Sequence, residues 1–588
     1  MGKFLFSLFC LLTTFCLAFL YGSGSLSVEE LGSFLCSQGH QADGDLVKTI
    51  LLSIRLPRVL LAGLCGGVLS AAGVLSQGVF RNPLASPSVL GASAGGVFGA
   101  VLVFFFSSPW MHWYLLPAGA FLGTLLSMSL VLGLVLAGVG RDTSHLLISG
   151  FALAILFGSL TSLLSSLLLP DWEKASSLMH WMLGGLSGSG WSHLATACPP
   201  AVLGLGLAFF LVRRLDVLAL GEDVAESLSV SIRATQVLCI SAISLLVASA
   251  VSVAGALPFI GLIVPHVTRQ ILGPSHRRLL PFTILNGMTL LIAADFLCQI
   301  VLSPRELEVG SLTSLLGVAF FFAILFKARK PDVMNQAKQA DTHQTKMADL
   351  LNPRVPSTFI SCDIQGEVCK GGKMILRGLR FTIPPGKLSV VVGRNGAGKS
   401  TLLRCLAGLE PDFRGDVRVY REGTGSTKLS TLKLRERARL CAWCPAEHSL
   451  AFCFSVIDVV VMGRYPHHQG YPGNRDFVAA HEALELMGVA DLWQRNVLTL
   501  SSGELKKVML ARTLALQSPV VLLDEPEAHL DYSCARTILA ELGTLTNKGR
   551  TILMTLHNLS LAKELAGDCF VLANGTLRPG RPLDILFP

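Results

Sequence analysis

Long stretches without a charged side chain constrain this chain most. Residues 82–140, 175–212 and 234–268 contain no Asp, Glu, Lys or Arg. A soluble domain carries about a quarter of its residues as these four types, whereas this chain of 588 residues carries 15%. The last third, in contrast, is rich in charge. The sequence therefore excludes one soluble domain, a disordered chain and a disulfide scaffold, and indicates a membrane part joined to a soluble part.

Ten apolar runs predict membrane-spanning helices, since a span needs about 20 mostly apolar residues. The runs lie near 4–22, 59–79, 88–107, 114–138, 143–169, 195–212, 235–256, 258–272, 280–300 and 310–326. With both ends inside, the inner loops carry more Lys and Arg than the outer loops, as the positive-inside rule requires. The first run, which follows Lys3, could instead be a cleaved signal peptide. An even number of spans favours its retention, so we predict a membrane domain over residues 1–327.

Neither the net charge nor the cysteines indicate a different class of protein. The charge of +9 does not come from a dense basic run with interleaved aromatics, so we expect no nucleic-acid partner. The 15 cysteines are scattered, many within apolar runs, which is typical of small buried side chains. Cys441 and Cys444 form a C-x-x-C, but without a redox-fold context this is a weak signal for metal or redox chemistry.

The soluble part begins after a polar segment. Residues 328–357 lack helical apolar periodicity and contain three prolines, which predicts a linker. From residue 358 short apolar runs alternate with helical patterns, as in an α/β domain. We therefore predict three parts: a membrane domain at 1–327, a linker at 328–357 and an α/β domain at 358–588.

Residues 393–400 form a glycine-rich phosphate-binding motif. The segment fits G-x-x-x-x-G-K-S and follows an apolar strand predicted at 388–392. Its glycines allow backbone N–H groups to surround a phosphate, and the next helix presents its positive N-terminus. Lys399 is expected to reach the β- and γ-phosphates, and Ser400 to hold Mg²⁺. The candidate ATP-binding residues are Gly393, Arg394, Asn395, Gly396, Ala397, Gly398, Lys399, Ser400 and Thr401.

Two later strands are predicted to bring catalytic side chains to the same place. The apolar residues 520–523 are followed by Asp524, which suits Mg²⁺ binding, and by Glu525, placed to orient or deprotonate an attacking water. A strand predicted at 551–556 ends at His557, for which we predict a contact with the γ-phosphate. Glu525 and His557 are the catalytic candidates, although a lone histidine is more often structural.

The segment Leu500-Ser501-Ser502-Gly503-Glu504 lies between these motifs and precedes a predicted helix. It resembles the signature of ABC-transporter ATPases, and with the motifs above the resemblance covers about 358–580. It implies that two such domains pair head to tail and trap ATP between the phosphate loop of one and the signature of the other. The residues it assigns to the ATP site are Ser501, Ser502, Gly503, Glu504 and the D-loop aspartate Asp531.

Three departures from the ABC pattern affect what the resemblance implies. Ser502 stands where glycine is usual, and Ala446, beside Glu447, stands where the Q-loop glutamine is expected. The sequence therefore leaves open how the segment around Ala446 couples the ATPase to the membrane part. No aromatic residue for stacking adenine lies near residues 369–370, so we expect reduced base selectivity. The stretch from 445 to 468 looks most like the ATPases of haem importers.

The membrane part carries several motifs in order: Arg55-Leu56-Pro57-Arg58, Arg81-Asn82-Pro83-Leu84-Ala85, Gly261-Leu262-Ile263-Val264-Pro265-His266 and Glu306-Leu307-Glu308-Val309-Gly310. They resemble the permeases of iron-siderophore, haem and vitamin B12 importers over nearly all of residues 1–330. Glu308 stands where that family usually has proline, and Val318-Ala319 where it usually has Ala-Pro. Both departures concern the last predicted span.

The resemblance assigns Arg55 and Arg58, with help from Arg305, to docking of an acidic substrate-binding protein on the outer side; snorkelling at the membrane surface is the alternative. Asp295 lies inside an apolar run, so it faces either a watery interior or a helix contact. Small residues at 63–73 predict close helix packing. The amphipathic segment 215–230 matches the coupling helices of the family, which rest on the ATPase.

Together these features predict an all-α membrane permease of about ten helices followed by an α/β ABC ATPase, in lipid of the bacterial inner membrane with the ATPase cytoplasmic. The chain would import an iron chelate, a ferric siderophore or haem, as a homodimer that uses ATP, Mg²⁺ and a separate binding protein. Cobalamin is the alternative substrate. An exporter and a degenerate regulatory protein are the rival classes, the latter suggested by Ala446 and Ser502.

Overall fold

The structure is a computed structural model of the chain. It describes residues 2–21, 47–106, 112–137, 143–301, 306–327, 358–363, 367–370, 373–410, 413, 415–421, 425–448, 450–468, 470–547, 549–565 and 568–580. The chain divides into two compact units. The first comprises 1–216 and 233–334, and the second comprises 217–232 and 335–588. The predicted linker at 328–357 lies outside the described residues, so its boundaries stay a prediction.

The first unit is helical. Its helices are α1 (Gly2–Tyr21), α2 (Leu56–Val79), α3 (Ala92–Phe106), α4 (His112–Leu136), α5 (Thr143–Leu168), α6 (Trp172–Leu183), α7 (Trp191–Leu218), α9 (Ile232–Ala254), α10 (Ile260–Leu272), α11 (His276–Ile300) and α12 (Val309–Lys327). A π-helical segment, Ile50–Arg55, leads into α2.

The ten predicted apolar runs all coincide with helices. Within the described residues, seven helices are long and apolar enough to cross a membrane: α1, α2 with the turns before it, α4, α5, α7, α9 and α11. The apolar helices α3, α10 and α12 are shorter, with 10–17 residues in their apolar parts. Apolar length therefore predicts where the helices lie, and three of the ten are shorter than a straight span requires.

Glycine allows the closest helix contacts of this unit. A Cβ at Gly66 of α2 would lie 2.2 Å from the carbonyl oxygen of Gly287 in α11. A Cβ at Gly73 would lie 1.9 Å from the carbonyl oxygen of Gly261 in α10. No side chain fits at such distances, so both positions require glycine if the helices are to keep their separation. The predicted close packing through the small residues of α2 is confirmed.

Asp295 is a contact between helices. Its carboxylate, on α11, accepts hydrogen bonds from Nη2 of Arg58 at 2.9 Å and Nε of Arg58 at 3.0 Å, and from Nε2 of Gln299 at 2.6 Å. Nη1 of Arg58 also lies 3.0 Å from Glu306. The sequence left open whether Asp295 faces a watery interior or a helix contact, and the structure supports the helix contact.

The prediction that Arg55 and Arg58 form a docking surface needs correction. Both residues are buried, with 3% and 6% of their surface exposed. Arg58 is held by Asp295, and Nη1 of Arg55 donates to the carbonyl oxygen of Leu20 at the end of α1. The resemblance placed both on an outer docking surface, because sequence motifs do not show acceptors supplied by distant segments. Arg305 lies outside the described residues.

Helix α6 was not among the sequence predictions. It has only 12 residues and mixes polar with apolar side chains, so it does not register as a span. Asp171 caps its N-terminus by accepting from the backbone N–H of Lys174. Near its C-terminus, Nδ1 of His180 lies 3.3 Å from a carboxylate oxygen of Glu308, the residue that directly precedes α12. The unexpected acid at position 308 thus contacts α6.

The described residues of the second unit form an α/β domain with three sheets. Its strands are β1 (Thr358–Asp363), β2 (Glu367–Lys370), β3 (Lys373–Arg377), β4 (Arg380–Ile383), β5 (Leu388–Val392), β6 (Asp416–Arg421), β7 (Gly425–Lys428), β8 (Cys441–Cys444), β9 (Val520–Leu523), β10 (Thr551–Thr555), β11 (Asp568–Ala573) and β12 (Thr576–Pro579). One sheet has the order β4-β1-β6-β7 and is antiparallel, and β2 pairs with β3.

The six-stranded sheet positions the functional residues. Its order is β12-β11-β5-β10-β9-β8, and all neighbours are parallel except β11 and β12. Strands β5, β9 and β10 are buried at every position, as expected for parallel strands covered on both faces. Because parallel strands end at one edge, the segments that follow β5, β9 and β10 meet there.

Helices cover the sheets of this unit. They are α13 (Lys399–Leu406), α14 (Leu434–Leu440), α15 (Val456–Met462), α16 (Tyr465–His468), α17 (Asn474–Leu486), α18 (Ser502–Ala515), α19 (Tyr532–Thr546) and α20 (Leu559–Leu565). Cys441 and Cys444 are buried free thiols on β8. In the part of the chain that the structure describes, no group of three His, Cys, Asp or Glu side chains is arranged to hold a metal.

The segment 217–232 belongs to this second unit although the sequence places it between two apolar helices. It contains the short helix α8 (Glu222–Ser227), whose Asp223 forms an ion pair with Arg404 of α13. The backbone N–H of Ala451 donates to the carbonyl oxygen of Ala219 at 3.4 Å. The predicted coupling segment at 215–230 therefore contains a helix of six residues that packs with the α/β domain.

Candidate nucleotide site and membership of a transporter family

A cavity of about 460 Å³ lies at the edge where the parallel strands end. The residues that line it are Ile375, Asn395, Gly396, Gly398, Lys399, Ser400, Thr401, Glu525 and His557. Eight of these nine are sequence-predicted site residues. The structure therefore brings the phosphate loop, residues 393–400, together with both catalytic candidates. The ninth, Ile375 on β3, is an aliphatic wall; the side chains at 369–370, where an aromatic was sought, lie outside the described residues.

The phosphate loop is shaped by backbone conformations that favour glycine. Gly396 has φ of 77° and Gly398 has φ of 100°, a region that other residues rarely adopt. A Cβ at Gly398 would also lie 2.7 Å from Cγ2 of Ile375. These turns allow α13 to begin directly at Lys399, so the first turn of the helix, whose N–H groups have no partner within the helix, lines the cavity.

Lys399 is the buried cation of the cavity, with 5% of its surface exposed. Its Nζ donates to the carbonyl oxygen of Gly393 at 3.0 Å, a position beneath the loop. Burial lowers the pKa of the Lys399 ammonium, and the nearby carboxylates of Glu525 and Asp524 oppose that shift. A phosphate placed in this loop would supply the negative charge that favours the ammonium form.

The ends of β9 and β10 are joined by hydrogen bonds through Thr555. Its hydroxyl donates to Oδ1 of the buried Asp524 at 2.7 Å and accepts from the backbone N–H of Glu525 at 2.9 Å. Glu525 has φ of 47°, which is unusual for a residue with a side chain and directs the chain into a sharp turn. Nε2 of His557 lies 2.5 Å from Oε1 of Glu525. The two catalytic candidates are thus in contact at the cavity wall.

Glu527 is a residue near this site that the sequence interpretation missed. Its Oε1 accepts a hydrogen bond from the backbone N–H of His557 at 2.6 Å. Burial raises the pKa of its carboxyl, and the hydrogen bond from His557 opposes that shift. A sequence signal existed, since the residue lies two positions after Glu525 in the same acidic segment. The sequence does not show that its partner is the backbone N–H of a residue 30 positions away.

The signature residues lie elsewhere in the unit. Ser501 caps α18 in a reciprocal arrangement: its hydroxyl accepts from the N–H of Glu504, and the carboxylate of Glu504 accepts from the N–H of Ser501 at 2.8 Å. Those bonds from Ser501 lower the pKa of Glu504. Asp531 similarly caps α19 through the N–H of Cys534 at 2.8 Å. Neither segment is among the residues lining the cavity, so their roles at ATP stay predictions.

Comparisons with known proteins identify the family. A model of the FecCD transport family matches residues 10–327, more than half of the chain, and a model of ABC transporters matches residues 376–528. The chain belongs to the FecCD transport family. Because the ABC match lies in the same polypeptide, this FecCD-family chain joins a permease to an ABC ATPase, and its ATP hydrolysis is coupled to transport.

Named relatives of the permease part carry different cargoes. The hemin transport system permease protein HmuU of Yersinia pestis is 36% identical over 52% of this chain and 92% of its own length. The Fe(3+) dicitrate transport system permease protein FecD of Escherichia coli is 38% identical over 48% and 86%. The cobalamin import system permease protein BtuC of Halobacterium salinarum is 36% identical over 48% and 74%. With seven long apolar helices in the part of the chain that the structure describes, this FecCD-family chain is a membrane protein.

In this FecCD-family chain, the backbone of Ala446, which stands where the Q-loop glutamine is expected, is held by a lysine. Nζ of Lys506, on the signature helix α18, donates to the carbonyl oxygen of Ala446 at 3.0 Å. Lys506 is only 2% exposed, whereas Glu447 is exposed. Burial and the nearby Arg512 lower the pKa of His448 well below its usual value. The segment that lacks the expected glutamine is thus held through its backbone by a buried ammonium.

Proposed function

We propose that this chain imports an iron chelate, a ferric siderophore or haem, across the bacterial inner membrane. The observation that carries the proposal is the match over residues 10–327 in a chain that also contains the nucleotide cavity. Relatives named for hemin and for ferric dicitrate support an iron chelate. The relative named for cobalamin supports the alternative substrate.

The residues around the cavity fit the chemistry of ATP hydrolysis. Backbone N–H groups of the phosphate loop and Lys399 would bind the phosphates, Glu525 would orient and deprotonate the attacking water, and His557 would contact the γ-phosphate. Oxygen ligands for Mg²⁺ are available in the Ser400 hydroxyl and the Asp524 carboxylate. When bound, Mg²⁺ would neutralise charge on the transferred phosphoryl group.

The working unit would be a homodimer with the ATPase on the cytoplasmic side. One permease part and one ATPase part are present in the chain, and the signature residues Ser501 to Glu504 do not line the chain's own nucleotide cavity. A second copy would supply that segment to each bound ATP. A separate binding protein would deliver the substrate on the outer side, at a surface other than the buried Arg55 and Arg58.

Two measurements test the proposal. The purified full chain should hydrolyse ATP in a vanadate-sensitive manner, and Glu525→Gln should lose at least a hundredfold of that activity while it still binds a fluorescent ATP analogue. Cells that express the chain with its neighbouring genes should accumulate radiolabelled haemin or ferric dicitrate, and Lys399→Ala should abolish the accumulation.

The outcomes separate the alternatives. Accumulation of cyanocobalamin alone would replace the iron chelate by cobalamin. Absence of hydrolysis in a protein that binds nucleotide would favour a regulatory protein. Efflux in place of accumulation would favour an exporter.

A further inference from the structure

Glu527 and Glu525 hold His557 from two directions. Oε1 of Glu527 accepts from the backbone N–H of His557 at 2.6 Å, while Oε1 of Glu525 lies 2.5 Å from ring nitrogen Nε2. The two carboxylates belong to one turn after β9, and His557 belongs to the segment after β10. The backbone and the ring of the histidine are therefore each tied to the same neighbouring turn.

The turn that carries both carboxylates is itself firmly placed. Thr555 joins Asp524 to the N–H of Glu525, and the N–H of Asp524 donates to the carbonyl oxygen of Cys444 on β8 at 2.9 Å. Further along, the N–H of Ala528 donates to the carbonyl oxygen of Glu525 at 3.1 Å. A group fixed on this turn can therefore set the position of a group on the next segment.

A purely stabilising role does not explain Glu527 well. Its Oε2 is shielded from solvent and has no hydrogen-bond partner within the described part of the chain. Removing a carboxylate oxygen from water without a partner is unfavourable. Its negative charge also lies close enough to favour the ammonium form of Lys399. A shielded polar atom without a hydrogen-bond partner is an exception to the usual rules of stable folds, and such exceptions are typical of functional sites.

We propose that Glu527 is a positioning residue for ATP hydrolysis, which holds the backbone of His557 so that its imidazole meets Glu525 at the cavity wall. The proposal rests on the functions proposed for Glu525 and His557. It assigns Glu527 no contact with nucleotide, since Glu527 is not among the residues lining the cavity. Its effect is therefore expected on the chemical step and not on ATP binding.

The experiment measures kcat and KM for ATP with the purified full chain and its variants. Glu527→Ala removes the acceptor of the His557 N–H, so kcat should fall about tenfold, which corresponds to about 1.4 kcal/mol of lost transition-state stabilisation. KM should stay within about twofold. Glu527→Gln keeps an oxygen that accepts from the N–H of His557, so it should recover most of kcat. Glu541→Ala, which removes an exposed glutamate of α19, is the matched control and should leave both constants unchanged.

A double variant separates positioning from other effects. If Glu527 acts through the imidazole, Glu527→Ala should cost nothing further in a His557→Ala background. Independent losses in the double variant, or a Gln variant as slow as the Ala variant, would overturn the proposal. Equal binding of a fluorescent ATP analogue and equal thermal unfolding would show that the variants are folded. A parent protein without ATPase activity would overturn the proposed function instead, so the two failures are distinguishable.

Discussion

The buried pair between Arg58 and Asp295 allows a quantitative prediction. The Asp295 side chain is 3% exposed and the Arg58 side chain 8%, so solvent screening does not weaken their interaction. Two guanidinium nitrogens reach the carboxylate at 2.9 and 3.0 Å. Removing one partner of such a pair leaves a buried charge and costs about 3–5 kcal/mol. We expect Asp295→Ala to lose that much free energy of unfolding.

The same physics predicts recovery when both charges are removed. The double variant Arg58→Leu/Asp295→Leu leaves neither charge of the buried pair behind, and only the partly exposed Glu306 loses its ion-pair partner. Its free energy of unfolding should therefore return to within about 1–2 kcal/mol of the parent. Glu306→Gln is the matched control. Its partner is the same Arg58, but the Glu306 side chain is 30% exposed, so the expected loss is below about 1 kcal/mol.

Equilibrium unfolding of the purified chain in mixed micelles, followed over a titration with SDS, measures these differences. An Asp295→Ala variant as stable as the parent would refute the reasoning, and so would a double variant as unstable as the single one. A docking role for Arg58 predicts a different pattern: unchanged stability in the Asp295→Ala variant, with weaker association of the binding protein in the Arg58→Leu/Asp295→Leu variant.

Three further predictions concern other parts of the molecule. Gly73→Ala should destabilise the chain in the same SDS titration by about 1–3 kcal/mol because its Cβ meets a backbone carbonyl at 1.9 Å, whereas Gly133→Ala, with nothing within 4 Å, should be neutral. Maleimide at pH 8 should label the exposed Cys453 and spare Cys441, as mass spectrometry would show, because burial raises the pKa of the Cys441 thiol to about 12. Asp223→Lys removes a half-exposed ion pair with Arg404, so thermal unfolding should shift little. Because Asp223 lies in the predicted coupling segment, uptake per ATP hydrolysed should fall severalfold.

Features set by local pattern could be predicted from the sequence. Apolar length located ten of the eleven α-helices described in the membrane part, because each span satisfies its own backbone hydrogen bonds. The phosphate loop, Glu525 and His557 were predicted to meet because each follows a buried strand, and parallel strands end at one edge of the sheet. In these cases the physical cause lies within a few residues of the feature.

Features set by distant partners could not be predicted. Arg58 and Asp295 are 237 residues apart, and nothing near either one shows that they meet. The family resemblance instead assigned Arg58 to a docking surface. Glu527 was overlooked because its partner is a backbone N–H, which every residue except proline offers. Helix α6 was missed since neither apolar length nor a strong motif marks it.

The origin of the second unit from two separate stretches has a consequence for synthesis. The ion pair between Asp223 and Arg404 closes a loop of 181 residues. At about 5–20 residues per second, the ribosome needs roughly 10–35 s to travel between the two positions. During that interval residues 217–232 have been synthesised but Arg404 has not. Chaperones and proteases can therefore act on the early stretch before its partner is present. The incomplete chain is therefore most susceptible to proteolysis before its last third has been translated.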